Sequence, residues 1–204
     1  MIAFFKRYSY EVVRMMLNQF AISMFGFALA MTAVKAESDA LLLWSSIAAI
    51  VFYLVLTYST AWRVGSSDRL SIRYGKISFN PVRGLLISLV ANAVNFLLAL
   101  LIMIGDLCGV ELLKTIPNAI VLLIEGMYQG VLAVIQVGGL PLNKMWWAYL
   151  LLPIPALVAS LLGYIAGAKE FRIIKAGLSD LPASDRPTRK EIKDRKDREK
   201  QDDK

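Results

Sequence analysis

Four apolar runs limit what this chain can fold into more than any other feature of its sequence. Each is about as long as the 20 residues that an α-helix needs to cross a hydrocarbon core of about 30 Å. The chain has 204 residues, 57% of them hydrophobic, and a soluble domain rarely concentrates so much apolar sequence in so few runs. Because lipid offers the backbone no hydrogen bonds, we expect an all-α membrane helix bundle over residues 1–168. The predicted spans are residues 15–34, 40–62, 84–105 and 145–168.

A fifth apolar stretch, residues 116–137, has Glu125 near its middle. Its eleven strong aliphatic residues favour insertion by about 5 kcal/mol in total. An ionised carboxylate at the centre of a span opposes insertion by about 3 kcal/mol, and Asn118, Gln129 and Gln136 oppose it further. Hydropathy alone therefore leaves open whether this stretch crosses the membrane.

Charge asymmetry favours four crossings with both termini in the cytoplasm. With four spans, 12 lysine and arginine residues near the spans lie inside and 3 lie outside. If residues 116–137 also cross, the count becomes 9 inside and 6 outside, which the positive-inside rule disfavours. We therefore predict a multi-pass protein of a bacterial cell membrane, in which residues 116–137 form an outer re-entrant or interfacial helix.

Residues 1–36 also allow a second interpretation, a secretory signal peptide cut after Ala36. Lys6 and Arg7 precede an apolar run, as in such peptides. The length of that run and the presence of Glu11 favour a retained span. Cleavage would leave the orientation of the remaining helices unchanged.

Polar residues of the fifth stretch share one stripe if the stretch is a single helix. At 100° per residue, Asn118, Glu125, Gln129 and Gln136 fall within about 40° of one another. One hypothesis is a polar seam that faces a cavity, with Glu125 as an ion, proton or substrate contact. The alternatives are an amphipathic helix at the outer interface and a contact with another membrane protein.

Small and polar residues also mark faces of the other spans. Asn92 and Asn95 share one face of the third span, which favours hydrogen bonds to a neighbouring helix or a water-filled path. Ala159, Gly163 and Gly167 follow a spacing of four, which predicts close helix packing. Deep within the four spans there is no lysine, arginine or aspartate, and this counts against ion-coupled transport.

Two short segments are predicted at the cytoplasmic face. Residues 68–84 alternate apolar and polar side chains around Gly75, which favours a short hairpin. Its basic residues would contact anionic lipid: Arg69, Arg73 and Lys76. We predict that residues 169–181 form an amphipathic segment on the inner membrane surface, with Arg172 and Lys175 as further lipid contacts.

Residues 182–204 form a charged C-terminal tail. Apart from Ile192, the run from Thr188 onward has no apolar residue, so it cannot pack as a core helix and we predict disorder. Nucleic-acid binding is not expected, because its acids nearly balance its bases and no aromatic residues interleave with them.

Residue types that the chain lacks narrow its function. It has no histidine and a single cysteine, Cys108, which excludes histidine-based zinc sites, Ser-His triads and intrachain disulfides. We predict no catalytic, metal or cofactor site and no enzyme activity; an enzyme acting on lipid is the least favoured class.

The first hypothesis for the function is an accessory or assembly subunit of a larger membrane complex, in contact with the lipid bilayer and with a membrane-protein partner or further copies of itself. The alternative is a small oligomeric permease or channel lined by Glu125, Gln129, Asn92 and Asn95.

Overall fold

The computed structural model describes residues 2–169, which are mostly helical. The helices are α1 (Ile2–Lys35), α2 (Asp39–Arg73), α3 (Val82–Ala91), α4 (Ala93–Cys108), α5 (Glu111–Ile124), α6 (Gln129–Val134), α7 (Trp146–Leu151) and α8 (Ile154–Ala168). A 3-10 turn, Gly126–Tyr128, joins α5 to α6. A two-stranded ribbon, β1 (Gln136–Val137) and β2 (Leu140–Pro141), and the 3-10 turn Leu142–Lys144 precede α7. The predictions for residues 170–204, including Arg172 and Lys175, lie outside the described residues.

Three helices are long and apolar enough to cross a membrane: Phe4–Lys35, Asp39–Arg73 and Trp146–Ala168, which joins α7 and α8. Two further pairs reach this length only across a bend, α3 with α4 at 62°, and α5 through α6 at 90°. The count is therefore three to five. Many large apolar side chains on these helices are exposed, among them Leu17, Phe20 and Met24 of α1. Such surfaces are compatible with a transmembrane protein.

Glycines allow a close contact between α2 and α8. A Cβ atom at Gly163 would collide with the carbonyl oxygen of Tyr58, and one at Gly167 with that of Trp62. Ala159, one turn earlier on α8, is half-buried. Without a Cβ at the two glycines, the backbones approach closely, which increases van der Waals contact where lipid supplies no hydrophobic drive.

The predicted hairpin at residues 68–84 is wrong, because residues 68–73 form the last turns of α2. Gly75 has a φ of +68° and follows the helix cap. The amide of Lys76 donates to the carbonyl of Ser71, and that of Gly75 to the carbonyl of Ile72. This is the hydrogen-bond pattern of a Schellman helix end. A glycine with positive φ is found both at helix ends and in hairpin turns, so the sequence alone did not distinguish the two. In the structure Gly75 ends α2.

Candidate functional site

The segment from α5 to α6, here called the α5–α6 hairpin, inserts its tip between α1 and α2. A Cβ atom at Gly126 would lie 2.6 Å from the carbonyl oxygen of Ser23 on α1. Gly26 of α1 in turn faces the backbone of Met127, where a Cβ atom would lie 2.5 Å from the Cα atom. On the other side Gly130 lies against the carbonyl of Leu42 on α2. The tip fits because these three positions carry no side chain.

Side chains of α1 and α2 satisfy the backbone where the hairpin is not helical. The hydroxyl of Ser23 donates to the carbonyl oxygen of Ile124 at 2.5 Å, and Gln19 Nε2 approaches the same oxygen at 3.5 Å. The amide of Gly130 donates to Ser46 Oγ at 2.7 Å. Since Ser23 lies 12 residues before the end of α1 at Lys35, the tip reaches about 18 Å along that helix. Irregular backbone at membrane depth requires such partners.

Glu125 occupies the break between α5 and the 3-10 turn and is 2% exposed. Within residues 2–169, no donor forms a hydrogen bond with its carboxylate. Met127 and Tyr128, which follow Glu125 in sequence, pack in one core cluster with Tyr53 and Tyr149. The buried hydroxyl of Tyr128 also has no hydrogen-bond partner among the described residues. A buried carboxyl and a buried hydroxyl are thus left free to contact a ligand, and burying them unpaired disfavours the folded state.

A second helix break, at Asn92 between α3 and α4, faces the same core. Asn92 Nδ2 donates to the carbonyl of Ser88 at 2.9 Å, and its Oδ1 accepts from Asn95 Nδ2 at 3.0 Å. The hydroxyl of Tyr53 on α2 lies 3.5 Å from the same Oδ1. Both asparagines are therefore hydrogen-bonded inside the chain, and Tyr53 also packs in the core cluster that holds Met127 and Tyr128, next to Glu125 in sequence.

A groove of about 590 Å³, lined by apolar and polar side chains, opens next to the core that holds Glu125. Its polar lining includes Glu111, Lys114, Asn118, Gln129, Lys144 and Tyr149. The hydroxyl of Tyr149 lies 2.7 Å from Asn118 Oδ1 and 2.9 Å from the carbonyl oxygen of Asn143. Tyr149 lines the groove and also packs in the core cluster that holds Met127 and Tyr128, so it connects the groove to that core.

The predicted single polar stripe is wrong, because the hairpin bends by 90° at Glu125. Asn118 and Gln129 line the groove, while Glu125 is buried behind it. Gln136 is exposed in β1, away from both. Sequence reasoning missed the tyrosines that surround Glu125; glycines 126 and 130, close after the carboxylate, were a signal for a break.

A second polar cluster, here called the Asp68 cluster, joins four helices at the end of the bundle that holds the start of α1. The Asp68 carboxylate is 1% exposed. It accepts from Arg7 at 2.7 Å, from the hydroxyl of Tyr8 at 2.6 Å and from that of Tyr164 at 3.0 Å. The guanidinium of Arg83 lies 3.7 Å away. Sequence reasoning placed Asp68 in a short hairpin at the membrane surface and so missed this cluster.

No protein-family model, curated protein or solved structure matches the chain. Within residues 2–169, no three histidine, cysteine, aspartate or glutamate side chains gather closely enough to hold a metal ion. The fold and the site define a class only: a helical chain whose three to five apolar helices are compatible with a multi-pass membrane protein, and whose broken helices enclose an unpaired carboxyl.

Proposed function

We propose that this protein is a small non-enzymatic permease in which Glu125 contacts a cationic solute or a proton. One observation supports the proposal: Tyr53 contacts Asn92 at one helix break and packs in the same core cluster as Met127 and Tyr128, which follow Glu125 at the other break. Discontinuous membrane helices commonly place polar groups at substrate sites near the middle of the bilayer. An intramembrane carboxylate without a partner is a functional candidate by default.

The proposed topology has four crossings, with the α5–α6 hairpin entering and leaving at the outer face of a cell membrane. Val134, at the end of α6, packs on Ala33 and Leu42 beside the α1–α2 turn. At the start of α5, Lys114 forms an ion pair with Asp106 near the end of α4. These contacts and the positive-inside count support an outward-facing groove and cytoplasmic termini. In this arrangement the Asp68 cluster closes the cytoplasmic end.

Two features of the sequence are used inside the fold and do not themselves support the accessory-subunit hypothesis. Gly163 and Gly167, whose spacing predicts close helix packing, pack on α2 of the same chain. Asn92 and Asn95 form hydrogen bonds inside the bundle. The faces that would have attracted a partner are therefore used within the fold.

One surface still supports an accessory subunit as the second candidate. Leu112, Ile116, Ile120 and Leu123 are exposed on α5 at helical spacing. This apolar stripe suits a neighbouring membrane helix, from a partner or from a second copy, as well as it suits lipid.

The purified chain in liposomes tests the proposal. Protons and methylammonium are the probes, each followed under an imposed membrane potential with a pH-sensitive dye in the lumen. We expect the potential to drive uptake of at least one probe, and Glu125→Gln to reduce it to the level of protein-free liposomes. Glu111→Gln, at the rim of the groove, is the matched control and should retain uptake. Uptake that survives Glu125→Gln would contradict the proposal, and uptake by the lone chain would exclude an obligatory partner.

A further inference from the structure

We propose a second site, distinct from Glu125 and independent of the proposed permease function. A pocket between α1 and α2 binds the headgroup of a membrane phospholipid that carries both a phosphate and a primary ammonium. The pocket has a volume of about 320 Å³ and lies next to the Asp68 cluster. Arg7 and Glu11 line it from α1, and Arg63 and Ser67 line it from α2.

The pocket offers groups of both signs that are incompletely paired. The Arg63 side chain is 46% exposed and lies 3.8 Å from Glu11 Oε1, too far for a hydrogen bond. The other oxygen of that carboxylate, Glu11 Oε2, is buried without a hydrogen-bond partner among the described residues. Arg7 is held by Asp68 and Ser71, yet its side chain is 39% exposed. Two guanidinium groups thus remain available to an anion, and one carboxylate oxygen requires a donor.

The depth of the pocket matches a lipid headgroup. Glu11 lies 24 residues before Lys35, and Arg63 lies 24 residues after Asp39, so both are about 36 Å along their helices from the α1–α2 turn. If that turn marks one boundary of a hydrocarbon core of about 30 Å, the pocket lies about 6 Å beyond the other boundary. This is the headgroup layer. The exposed side chains Tyr10 and Val13, beside Glu11 on α1, are available to the acyl chains.

The unpaired oxygen of Glu11 requires a hydrogen-bond donor, and only some phospholipid headgroups supply one. A primary ammonium, as in an ethanolamine phospholipid, donates a charge-assisted hydrogen bond to the carboxylate while its phosphate meets the arginines. A choline headgroup has no N–H to donate. A glycerol headgroup supplies the phosphate without a cation for Glu11. Ethanolamine phospholipid is therefore the occupant that satisfies both signs of charge.

Native mass spectrometry of the full chain tests this site. The delipidated protein is offered phosphatidylethanolamine, phosphatidylcholine and phosphatidylglycerol, each alone and with soluble phosphoethanolamine as a competitor. We expect phosphatidylethanolamine to bind about tenfold better than the other two. Glu11→Gln should remove that preference, and Arg63→Gln should weaken all three lipids. Lys35→Gln removes an equal charge at the far end of α1, outside the pocket, and should change nothing.

Equal binding of the three lipids, or a Glu11→Gln protein that keeps the preference, would overturn the proposal. If phosphoethanolamine displaces phosphatidylethanolamine when the two are present at equal concentrations, the pocket binds a soluble zwitterion. The proposal that its ligand is a membrane lipid would then be wrong. If Glu11→Gln does not fold, Ser67→Leu gives an independent test, because Ser67 is exposed and lines the pocket. The added side chain should lower phosphatidylethanolamine binding, and undiminished binding would likewise overturn the assignment.

Discussion

The hydroxyl of Ser23 on α1 donates a hydrogen bond of 2.5 Å to the carbonyl oxygen of Ile124, the last residue of α5. A helix that stops inside a bundle leaves carbonyl groups without intrahelical partners. Here α1 supplies the missing donor, so the break at Glu125 is fixed by a neighbouring helix. The bond therefore couples the packing of α1 to the position of the buried carboxyl.

Removing the donor at Ser23 should destabilise the fold. In Ser23→Ala the Ile124 carbonyl keeps only the long contact with Gln19, so we expect a loss of about 1–3 kcal/mol. Unfolding of the detergent-solubilised protein by heat or denaturant measures this loss. Ser45→Ala is the matched control, because the Ser45 hydroxyl bonds to a carbonyl of its own helix, that of Leu42. Equal losses in the two variants would mean that the bond to Ile124 does not hold the hairpin.

Much of the helical architecture follows from apolar run length alone. Apart from Met145, the predicted spans 15–34, 40–62 and 145–168 lie within the long apolar helices of the structure. The third predicted span, 84–105, falls on α3 and α4, whose bend at Asn92 was not predicted. Run length indicates how much of the chain is apolar, whereas a bend depends on partners that are distant in sequence. Tyr53, for example, contacts Asn92 across 39 positions.

The Asp68 cluster illustrates the same limit for a site. Read alone, Asp68 follows the last apolar residues of a span and resembles the first residue of a solvent-exposed loop. Its partners Tyr8 and Tyr164 lie 60 and 96 positions away. Their hydroxyl groups and the arginines compensate the buried carboxylate, and this allows α2 to continue to Arg73. Local alternation of apolar residues could not reveal that compensation.

Neutralising Asp68 should be strongly destabilising. Asp68→Asn keeps one oxygen acceptor but loses the charge that compensates Arg7 and the partly buried Arg83. It also replaces the oxygen that accepts from both tyrosine hydroxyls, so we expect a loss of about 3–5 kcal/mol. The measurement is again unfolding in detergent. Adding Arg83→Gln to Asp68→Asn should recover part of the loss, because the uncompensated charge is then absent.

A surface ion pair provides the control for Asp68. Asp106 and Lys114 pair with side chains that are 30% and 44% exposed, so Asp106→Asn should lose no more than about 1 kcal/mol. If Asp68→Asn is no worse than Asp106→Asn, or if Arg83→Gln brings no recovery, then burial of the pair is not what joins the four helices.

Glu125 should behave in the opposite way when it is replaced by an apolar side chain of similar size. Glu125→Met removes an unpaired buried carboxyl, so we expect the protein to become more stable by about 1–3 kcal/mol while transport is lost. Gain of stability with loss of function is typical of residues kept for activity. Thermal unfolding and liposome uptake, measured on the same preparation, test both effects.

Glu111→Met is the comparison for Glu125→Met, because Glu111 is exposed at the start of α5. It should change stability by no more than about 0.5 kcal/mol and leave uptake intact. A destabilised Glu125→Met protein would show that the carboxylate is a structural group with a partner, and the permease proposal would lose its central residue.

The proposed path of the α5–α6 hairpin predicts which positions are accessible from outside the cell. Cys108 is exposed and must first be replaced by serine. Leu112→Cys then introduces one thiol at the start of the hairpin and Leu140→Cys one thiol after its end, both at exposed positions. If the hairpin enters and leaves on the outer face, a membrane-impermeant maleimide added to intact cells should label both variants. Ser71→Cys, at the opposite end of α2, is the comparison and should react only after the cells are opened. If the thiol of Leu140→Cys also reacts only after the cells are opened, the α5–α6 hairpin crosses the membrane. The groove and the buried carboxyl would then belong to a fifth span.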